Sequence, residues 1–227
     1  MTRYFAIGAF AILVLVLGGT TALILQGRSP LTLFQQPSAL GGAGLVQNED
    51  AYAQCRSTVI AGGSDTIGGP FELITEDGAL VTSESLITEP TLLYFGYTFC
   101  PDVCPLDTVR NAEVVDILAA RGEAVLPVFI SIDPKRDTPE RLREFTENIH
   151  PDMIGLTGSD AQVAAASRAY RTYYNSHDDG SDPYYLVDHS TFTYLVLPDA
   201  GFVEFFRRDT APAEMADAVQ CFLDASS

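Results

Sequence analysis

The sequence is poor in basic side chains. Its 227 residues include 13 lysines and arginines against 30 aspartates and glutamates, which gives a formal net charge of −17 at pH 7. Proteins that bind nucleic acid neutralise phosphate charge with Lys and Arg. The composition therefore argues against a nucleic-acid partner, although it says little about the fold.

Cysteine and histidine are also scarce, with four and three residues respectively. A chain of this length can bury a hydrophobic core without a framework of disulfides, so each pair of cysteines needs its own explanation. The sequence also contains no internal repeat and no low-complexity block. The length of 227 residues and the net charge of −17 suit one soluble domain of ordinary size with an appendage.

One stretch alone is long and apolar enough to cross a membrane. Residues 4–27 carry no charge, and Arg3 and Arg28 flank them. A helix of about 20 apolar residues spans the hydrocarbon layer of a bilayer, so we predict an N-terminal membrane anchor over residues 1–27. The alternative is a cleaved signal peptide with its small-residue site near residues 20–22. In both cases the rest of the chain is exported.

The remaining chain divides into a tether and a domain. Residues 28–54 contain Gly, Ser, Pro and Gln without a sustained period, which is typical of a linker. Residues 55–227 alternate strand and helix patterns between two hairpins, one around Asp77-Gly78 and one around residues 198–201. This order predicts an α/β domain with one central mixed sheet flanked by helices.

A helix is predicted after the apolar strand pattern of residues 92–96, with Pro105 as its first residue. Its inward face is predicted from apolar residues at helical spacing, namely Leu106, Val109, Val114, Ile117 and Leu118. The second buried strand, residues 125–132, contains Pro127, so its pairing is expected to begin after the proline. Residues 175–183 are expected to form an exposed acidic loop.

Cys100 and Cys104 lie where the first buried strand gives way to that helix. Each precedes a proline, which disfavours the helical region and places Cys104 near the helix start. Free N–H groups and the positive end of the helix dipole favour thiolates there. Two thiolates suit Cu(I) or Zn(II) better than Mg(II) or Ca(II). Taken alone, the pair leaves open a structural disulfide, a redox dithiol and a metal site.

A metal held by two thiolates needs at least one further ligand, and the chain has three histidines. His150 precedes a proline at a helix end and is typical of a solvated cap residue. His177 falls in the acidic loop and is expected to be exposed. His189 directly precedes an apolar strand. A lone histidine at a strand end more often has a structural role. His189 is nevertheless favoured as the third metal ligand, because the two thiolates need one.

Three segments together resemble the SCO/SenC family. They are Tyr-Thr-Phe-Cys-Pro-Asp-Val-Cys-Pro at 97–105, Ser-Ile-Asp-Pro-Lys-Arg-Asp-Thr at 131–138 and Tyr-Leu-Val-Asp-His-Ser at 185–190. The resemblance covers about residues 65–224. It implies a thioredoxin-like fold for residues 55–227, behind an N-terminal membrane anchor.

The same resemblance implies a function. The family's copper ligands fall on Cys100, Cys104 and His189, a set that can hold Cu(I) or Cu(II). The implied role is delivery of copper to the CuA centre of cytochrome c oxidase subunit II, with other copper chaperones as further partners. The implied location is the bacterial inner membrane, crossed once, with the domain in the periplasm. Such a transfer protein is not an enzyme with turnover.

Other functions stay open at this point. Some SCO/SenC members are credited with thiol reduction, so a thiol–disulfide oxidoreductase or thiol peroxidase is one alternative, and a redox or copper sensor is another. However, the cysteine spacing is one residue longer than in thioredoxin-like reductases, and residues 188–191 lack their facing proline. Tyr97 stands where peroxiredoxins usually place threonine. An inert domain with two disulfides would leave His189 unexplained.

Two aspartates near the motifs are candidates for supporting or docking roles. Asp133 ends the second strand, and Asp102 lies between the two cysteines. We favour the simpler interpretation of each, a strand-end turn for Asp133 and an acid at a helix start for Asp102.

Cys55 and Cys221 form a second candidate pair. Cys221 lies on the last helix, away from the apolar face that carries Met215, Val219 and Phe222. It could therefore meet the incoming segment around Cys55. A disulfide, two separate thiols and a second metal site all stay open for this pair.

Overall fold

The computed structural model describes residues 51–60 and 62–226. The predicted anchor, residues 1–27, and residues 28–50 of the predicted tether lie outside the described residues. Within residues 51–60 and 62–226, no helix combines the length and apolar character needed to cross a bilayer. The anchor and its boundaries therefore stay predictions.

Strands and helices alternate along the described chain. In order, they are β1 (Glu72–Thr75), β2 (Leu80–Thr82), α1 (Ser83–Leu86), β3 (Thr91–Gly96), α2 (Val103–Ala120), β4 (Leu126–Ser131), α3 (Pro139–Glu147), β5 (Ile154–Thr157), α4 (Asp160–Ala169), β6 (Tyr174–Ser176), β7 (Val187–His189), β8 (Thr193–Leu197), β9 (Gly201–Phe206) and α5 (Pro212–Ala225). The two predicted hairpins, β1–β2 and β8–β9, are confirmed.

A mixed sheet forms the centre of the described domain, in the strand order β2-β1-β5-β4-β3-β8-β9. β3, β4 and β5 are parallel neighbours. β1 pairs antiparallel with β5, and β8 pairs antiparallel with β3. β6 and β7 form a separate two-stranded sheet. The predicted central mixed sheet flanked by helices is confirmed for the described chain.

Hydrophobic side chains pack in two clusters. Leu92 and Leu195 belong to one cluster, while their neighbours Leu93 and Tyr194 belong to the other. Because successive side chains of a strand point to opposite faces, the two clusters lie on opposite faces of the sheet. Burying a large apolar side chain contributes about 1.5–3 kcal/mol, so these clusters supply most of the stabilisation of the fold.

The prediction for Pro127 was wrong. β4 begins at Leu126, and Pro127 lies inside it as the partner of Leu92. The N–H of Leu126 donates to the carbonyl of Pro90, 2.8 Å away, on the β3 side. The Pro127 nitrogen faces β5, and β5 pairs with β4 only from Val128 onward. The missing N–H of the proline therefore removes no bond of the ladder.

The prediction for α2 was wrong in two respects. The helix begins at Val103 rather than at Pro105. Leu106 and Val109, which were expected to face inward, are 62% and 51% exposed. The inward stripe near the helix start is polar and consists of Asp107, Thr108, Arg110 and Asn111. A pattern based on apolar residues alone therefore selected the wrong side of the first two turns.

The expected loop over residues 175–183 is shorter than predicted. β6 and β7 pair antiparallel, with Tyr174 opposite His189 and Ser176 opposite Val187. Asn and Ser have low strand propensity, and backbone pairing with β7 overrides it. This small sheet holds the backbone of His189 in place.

Residues 55–58, near the start of the described chain, are attached to the domain by a disulfide and by hydrogen bonds. Cys55 and Cys221 form a disulfide, with Cα atoms 5.6 Å apart. The N–H of Ser57 donates to the buried carboxylate of Glu204 at 2.9 Å, and the Thr58 hydroxyl donates to the same group. The disulfide closes a loop with a sequence separation of 166 residues. In the chain-entropy model a cross-link over a loop of this length stabilises the fold by about 5 kcal/mol.

Candidate metal centre

Cys100 and Cys104 lie at the junction between β3 and α2, and both are free thiols. Cys100 ends a tight turn in which its N–H donates to the carbonyl of Tyr97 at 3.2 Å. Cys104 lies in the first turn of α2, and its N–H donates to the Cys100 sulfur at 3.4 Å. Cys100 is 7% exposed and Cys104 is fully buried. The helix start thus directs a free N–H at one sulfur.

His189 completes a three-residue cluster. Its Nε2 atom lies 3.2 Å from the Cys104 sulfur, and its Nδ1 atom lies 2.8 Å from the carbonyl oxygen of Ser190. A carbonyl oxygen only accepts, so Nδ1 carries the proton and the lone pair of Nε2 is directed at the sulfurs. This is the arrangement in which a histidine binds a metal through Nε2.

The two thiols differ in proton affinity. A hydrogen bond with the Cys104 side chain lowers the pKa of Cys100 to about 3, assisted by the backbone N–H groups of Asp102 and Cys104 and opposed by burial. The same hydrogen bond, together with burial, raises the pKa of Cys104 above its usual range. At neutral pH Cys100 is therefore a thiolate while Cys104 keeps its proton.

The spacing of the three side chains suits a small soft metal ion. Their ligand atoms all lie within 4.8 Å of one another. With metal–thiolate bonds of about 2.3 Å, the ligands of a trigonal site lie about 4 Å apart. Two thiolates and an imidazole are a donor set for copper or zinc. The three residues singled out from the sequence are thus brought together at one point.

Aromatic rings and a glycine form the wall of the cluster. The rings of Tyr94 and Tyr97 meet the His189 ring edge-on, with centroids 6.3 and 5.9 Å away. A Cβ atom added to Gly96 would lie 2.9 Å from the Tyr94 ring and 3.1 Å from the Cys104 sulfur. Glycine is therefore required at this position for the strand, the ring and the sulfur to approach so closely.

A buried carboxylate that sequence reasoning missed braces the cysteine loop. Asp137 accepts hydrogen bonds from the Thr98 N–H at 3.0 Å, the Thr98 hydroxyl at 2.6 Å and the Ser131 hydroxyl at 2.6 Å. Burial raises the pKa of Asp137, while these three hydrogen bonds oppose the rise. The signal was present, because Asp137 lies in the segment 131–138 that carried the family resemblance.

Asp133 has a structural role, as the sequence analysis favoured. Its carboxylate pairs with Arg136 at 2.5 Å and accepts a hydrogen bond from the Tyr185 hydroxyl at 2.7 Å. The Arg136 guanidinium lies over the Tyr185 ring, 3.6 Å from its centroid, and over the Phe99 ring at 4.8 Å. Arg136 therefore joins the end of β4 to the cysteine loop and to the segment that precedes His189.

The remaining candidates lie outside the cluster. Asp102 is exposed at the start of α2 and makes no side-chain capping bond. His177 is exposed and lies 2.8 Å from Asp188. His150 was expected to be solvated but is buried, with its Nε2 3.4 Å from Asp116.

A family model and a curated relative both assign this chain to the same family. A family model described as SCO1/SenC matches residues 61–224. Protein SenC of Rhodobacter capsulatus is 56% identical to this chain over 182 residues, which are 80% of this chain and 81% of that protein.

Solved structures match the fold as well. The structure of Arabidopsis thaliana ScoI with copper bound is 42% identical, with a TM-score of 0.66 over 70% of this chain and 99% of that chain. The structure of Bradyrhizobium japonicum ScoI with copper bound is 38% identical, with a TM-score of 0.61 over 69% of this chain and 98% of that chain. The described domain therefore has their thioredoxin-like fold.

Proposed function

The chain belongs to the SCO1/SenC family, and we propose that it binds one copper ion through Cys100, Cys104 and His189 and passes it to a partner protein. The observation that carries this proposal is the cluster of two thiols and an imidazole within 4.8 Å of one another. The copper-bound structures of its Arabidopsis thaliana and Bradyrhizobium japonicum relatives support the choice of metal.

The charges of the cluster suit both oxidation states of copper. Loading releases the Cys104 proton, so that two thiolates and the Nε2 atom of His189 are available to the ion. Three donors of this kind satisfy trigonal Cu(I), and an added water or fourth ligand satisfies Cu(II). Soft thiolates and an imidazole disfavour Mg(II) and Ca(II), which prefer oxygen donors.

The position of the cluster suits transfer rather than storage. Cys100 lies in a loop, and His189 is half-buried at the end of a three-residue strand. A partner that offers its own thiolates can therefore replace these two ligands in turn, with Cys104 as the last contact. Ligand exchange of this kind moves the ion without releasing it to solvent.

The acceptor we propose is the CuA centre of cytochrome c oxidase subunit II. The proposed site of transfer is the periplasmic face of the bacterial inner membrane, where residues 1–27 would anchor the chain. The family resemblance of segments 97–105, 131–138 and 185–190 supports this assignment. The test is to mix copper-loaded protein with a metal-free CuA domain and to follow the growth of the CuA absorption spectrum.

Copper stoichiometry and spectra of single variants test the ligand set. Wild type is expected to bind one equivalent of copper, with sulfur-to-Cu(II) charge-transfer bands. Cys100→Ser and Cys104→Ser should lose those bands, and His189→Ala should lose most Cu(II) affinity. His177→Ala is the matched control, because His177 is an exposed histidine outside the cluster. Binding that survives all three ligand substitutions would refute the proposal.

A second candidate function is reduction of a partner's disulfide. The lowered pKa of Cys100 favours a thiolate, which is the attacking form. Attack by the Cys100 sulfur on a partner disulfide would form a mixed disulfide and release one partner thiolate. Cys104 would then form the Cys100–Cys104 disulfide and release the second thiol. Catalytic turnover of a disulfide substrate by metal-free protein would favour this function over copper transfer.

A further inference from the structure

A cavity lies at the end of the central sheet that is remote from the cysteine loop. It has a volume of about 490 Å³ and is lined by segment 64–70, by the start of α1 and by the turn between β8 and β9. In the pairing of β8 with β3, Val196 lies opposite Thr91 at the start of β3, whereas the cysteine loop follows Gly96 at its end. With a rise of about 3.3 Å per residue, β3 separates the two regions by about 17 Å. The cavity is therefore distinct from the metal centre.

Tyr170 lines this cavity and has a hydroxyl group without a partner. The residue is the C-cap of α4 and is 2% exposed, and its ring packs against Phe71, Phe95 and Tyr194. Within the described residues its hydroxyl group makes no hydrogen bond, and the oxygen is not sealed from solvent. Burial raises the pKa of Tyr170 above its usual range, so the hydroxyl group stays neutral. Because buried hydroxyl groups normally have a partner, an unpaired one at the wall of a cavity points to a ligand.

Backbone contacts hold the walls of the cavity in place. The N–H of Gly68 donates to the carbonyl of Ala169 at 2.8 Å, which attaches the first wall to the end of α4. The N–H of Ser83 donates to the carbonyl of Phe71 at 2.9 Å, which ties the start of α1 to the residue before β1. Gly68 has a φ of +90°, and a Cβ atom there would lie 3.3 Å from the Cβ atom of Phe202. Glycine lets the chain pass this close to β9, and the cavity is therefore formed before a ligand arrives.

The charged side chains of the lining are acidic. They are Asp65 and Glu84, which are both exposed, and no lysine, arginine or histidine of the described chain lines the cavity. Much of the remaining lining is apolar and includes Ile67 and Phe202. Carboxylates attract a cation and repel an anion, and apolar walls suit a hydrocarbon body. The Tyr170 hydroxyl group can accept a hydrogen bond from an N–H group of such a ligand.

We propose that this cavity binds a small organic cation, an amine with an apolar body whose N–H group donates to the Tyr170 hydroxyl group while Asp65 and Glu84 balance its charge. The cavity uses none of the three residues of the metal centre, so this inference does not rest on the proposed function. It gives the chain a second binding site, at the opposite end of β3 from the cysteine loop.

Three probes with similar hydrocarbon bodies test the charge preference. Phenethylamine is a cation at neutral pH, phenethyl alcohol is neutral and phenylacetate is an anion. Each is titrated into the full copper-free chain in one detergent, and the backbone amide NMR signals of residues 64–70 and 196–202 are followed. Phenethylamine should give saturable shifts with a millimolar dissociation constant, phenethyl alcohol should bind about tenfold more weakly, and phenylacetate should not bind. Equal affinities, or no saturable phenethylamine shift at these residues, would overturn the proposal.

Two single variants locate the bound amine. Tyr170→Phe removes one oxygen atom and leaves the ring, and it should weaken phenethylamine binding about tenfold. Tyr184→Phe is the matched control, because Tyr184 is 76% exposed and lies outside the cavity. Ala200→Trp adds a large side chain to the exposed wall and should abolish binding, even if Tyr170→Phe disturbs the core. Phenethylamine binding that is unchanged in both variants would overturn the proposal.

A double variant tests the role of the carboxylates. Asp65→Asn combined with Glu84→Gln should weaken phenethylamine binding severalfold and leave phenethyl alcohol binding unchanged, because only the cation is attracted by these charges. Glu113→Gln combined with Glu147→Gln is the control, since it removes the same charge from exposed positions outside the cavity. Equal losses in the two double variants would refute a cation site in this cavity. Because the protein is free of copper throughout, these results hold whether or not the chain binds copper.

Discussion

The Nε2 atom of His189 lies 3.2 Å from the sulfur of Cys104, although 85 residues separate the two in the chain. β7 carries the histidine and the first turn of α2 carries the cysteine, and both elements are held by backbone hydrogen bonds. The Ser190 carbonyl fixes the orientation of the ring. The proposed copper site is therefore largely formed before metal arrives, and its ligands need little reorganisation.

Copper affinity should increase with pH. The pKa of Cys100 is lowered to about 3, so this thiol is already ionised at neutral pH. The pKa of Cys104 is raised, so this thiol must lose its proton when the ion binds. Release of one proton makes the affinity rise about tenfold per pH unit. Competition with a chelator of known affinity between pH 6 and 8 measures the slope, and an affinity independent of pH would contradict this assignment of the proton.

Asp137→Asn should loosen the cysteine loop. An amide in place of the carboxylate presents one acceptor oxygen to the three donors from Thr98 and Ser131 and adds an unpaired donor. We expect a loss of about 1–3 kcal/mol in the free energy of unfolding, together with weaker copper binding. Urea denaturation and copper titration measure the two effects. The control is Asp102→Asn, an exposed change in the same loop that should leave both nearly unaltered.

Arg136→Gln should be far more destabilising than the same change at its neighbour Lys135. The Arg136–Asp133 pair is buried, with side chains 11% and 4% exposed. Removing one member of such a pair costs about 3–5 kcal/mol, because the other charge stays buried without compensation. Lys135 pairs with Asp178 at the surface and is 65% exposed, where ion pairs contribute about 0–1 kcal/mol.

Chemical denaturation of both glutamine variants measures this difference. Since Arg136 also stacks on Tyr185, four residues before His189, Arg136→Gln should weaken Cu(II) binding as well. Equal stabilities for the two variants would show that the buried pair does not hold the segment before His189.

The disulfide should stabilise the domain without taking part in metal binding. Replacing both Cys55 and Cys221 with serine removes a link across 166 residues and leaves no unpaired thiol to mispair with the motif. We expect a loss of about 2–5 kcal/mol in the free energy of unfolding, with one copper still bound per chain. Urea denaturation and metal analysis of the double variant check both statements. Loss of copper from a protein that is still folded would place this pair in the metal site after all.

Much of the fold was predictable because its signals are local. Thr138 and Ser159 accept hydrogen bonds from backbone N–H groups at the starts of α3 and α4, as their sequence context indicates. The buried runs of β3 and β4 predict central parallel strands. The start of α2 was less predictable, because its inward stripe is polar, and side chains such as Asp107 become buried only through partners on other elements.

The candidate site was predictable in part. The spacing of Cys100 and Cys104 indicated paired thiols at a helix start, their missing third ligand favoured His189, and the family resemblance implied all three as copper ligands. Asp137 did not stand out by residue type, because an aspartate in a turn is ordinary in sequence, and only its place in segment 131–138 marked it. Its importance comes from the hydrogen bonds that Thr98 and Ser131 donate to it.

By itself the sequence determined the two hairpins, the buried strands β3 and β4 with the helix between them, the chemistry of the donor side chains and the family. These depend on residue types at short spacing, which local physics converts directly into structure. The tertiary structure alone decided that Cys55 meets Cys221, that the Nε2 of His189 faces Cys104, and that Leu106 points to solvent. Such contacts follow from the order of strands in the sheet and the packing of helices on it, which set distances between residues far apart in the chain.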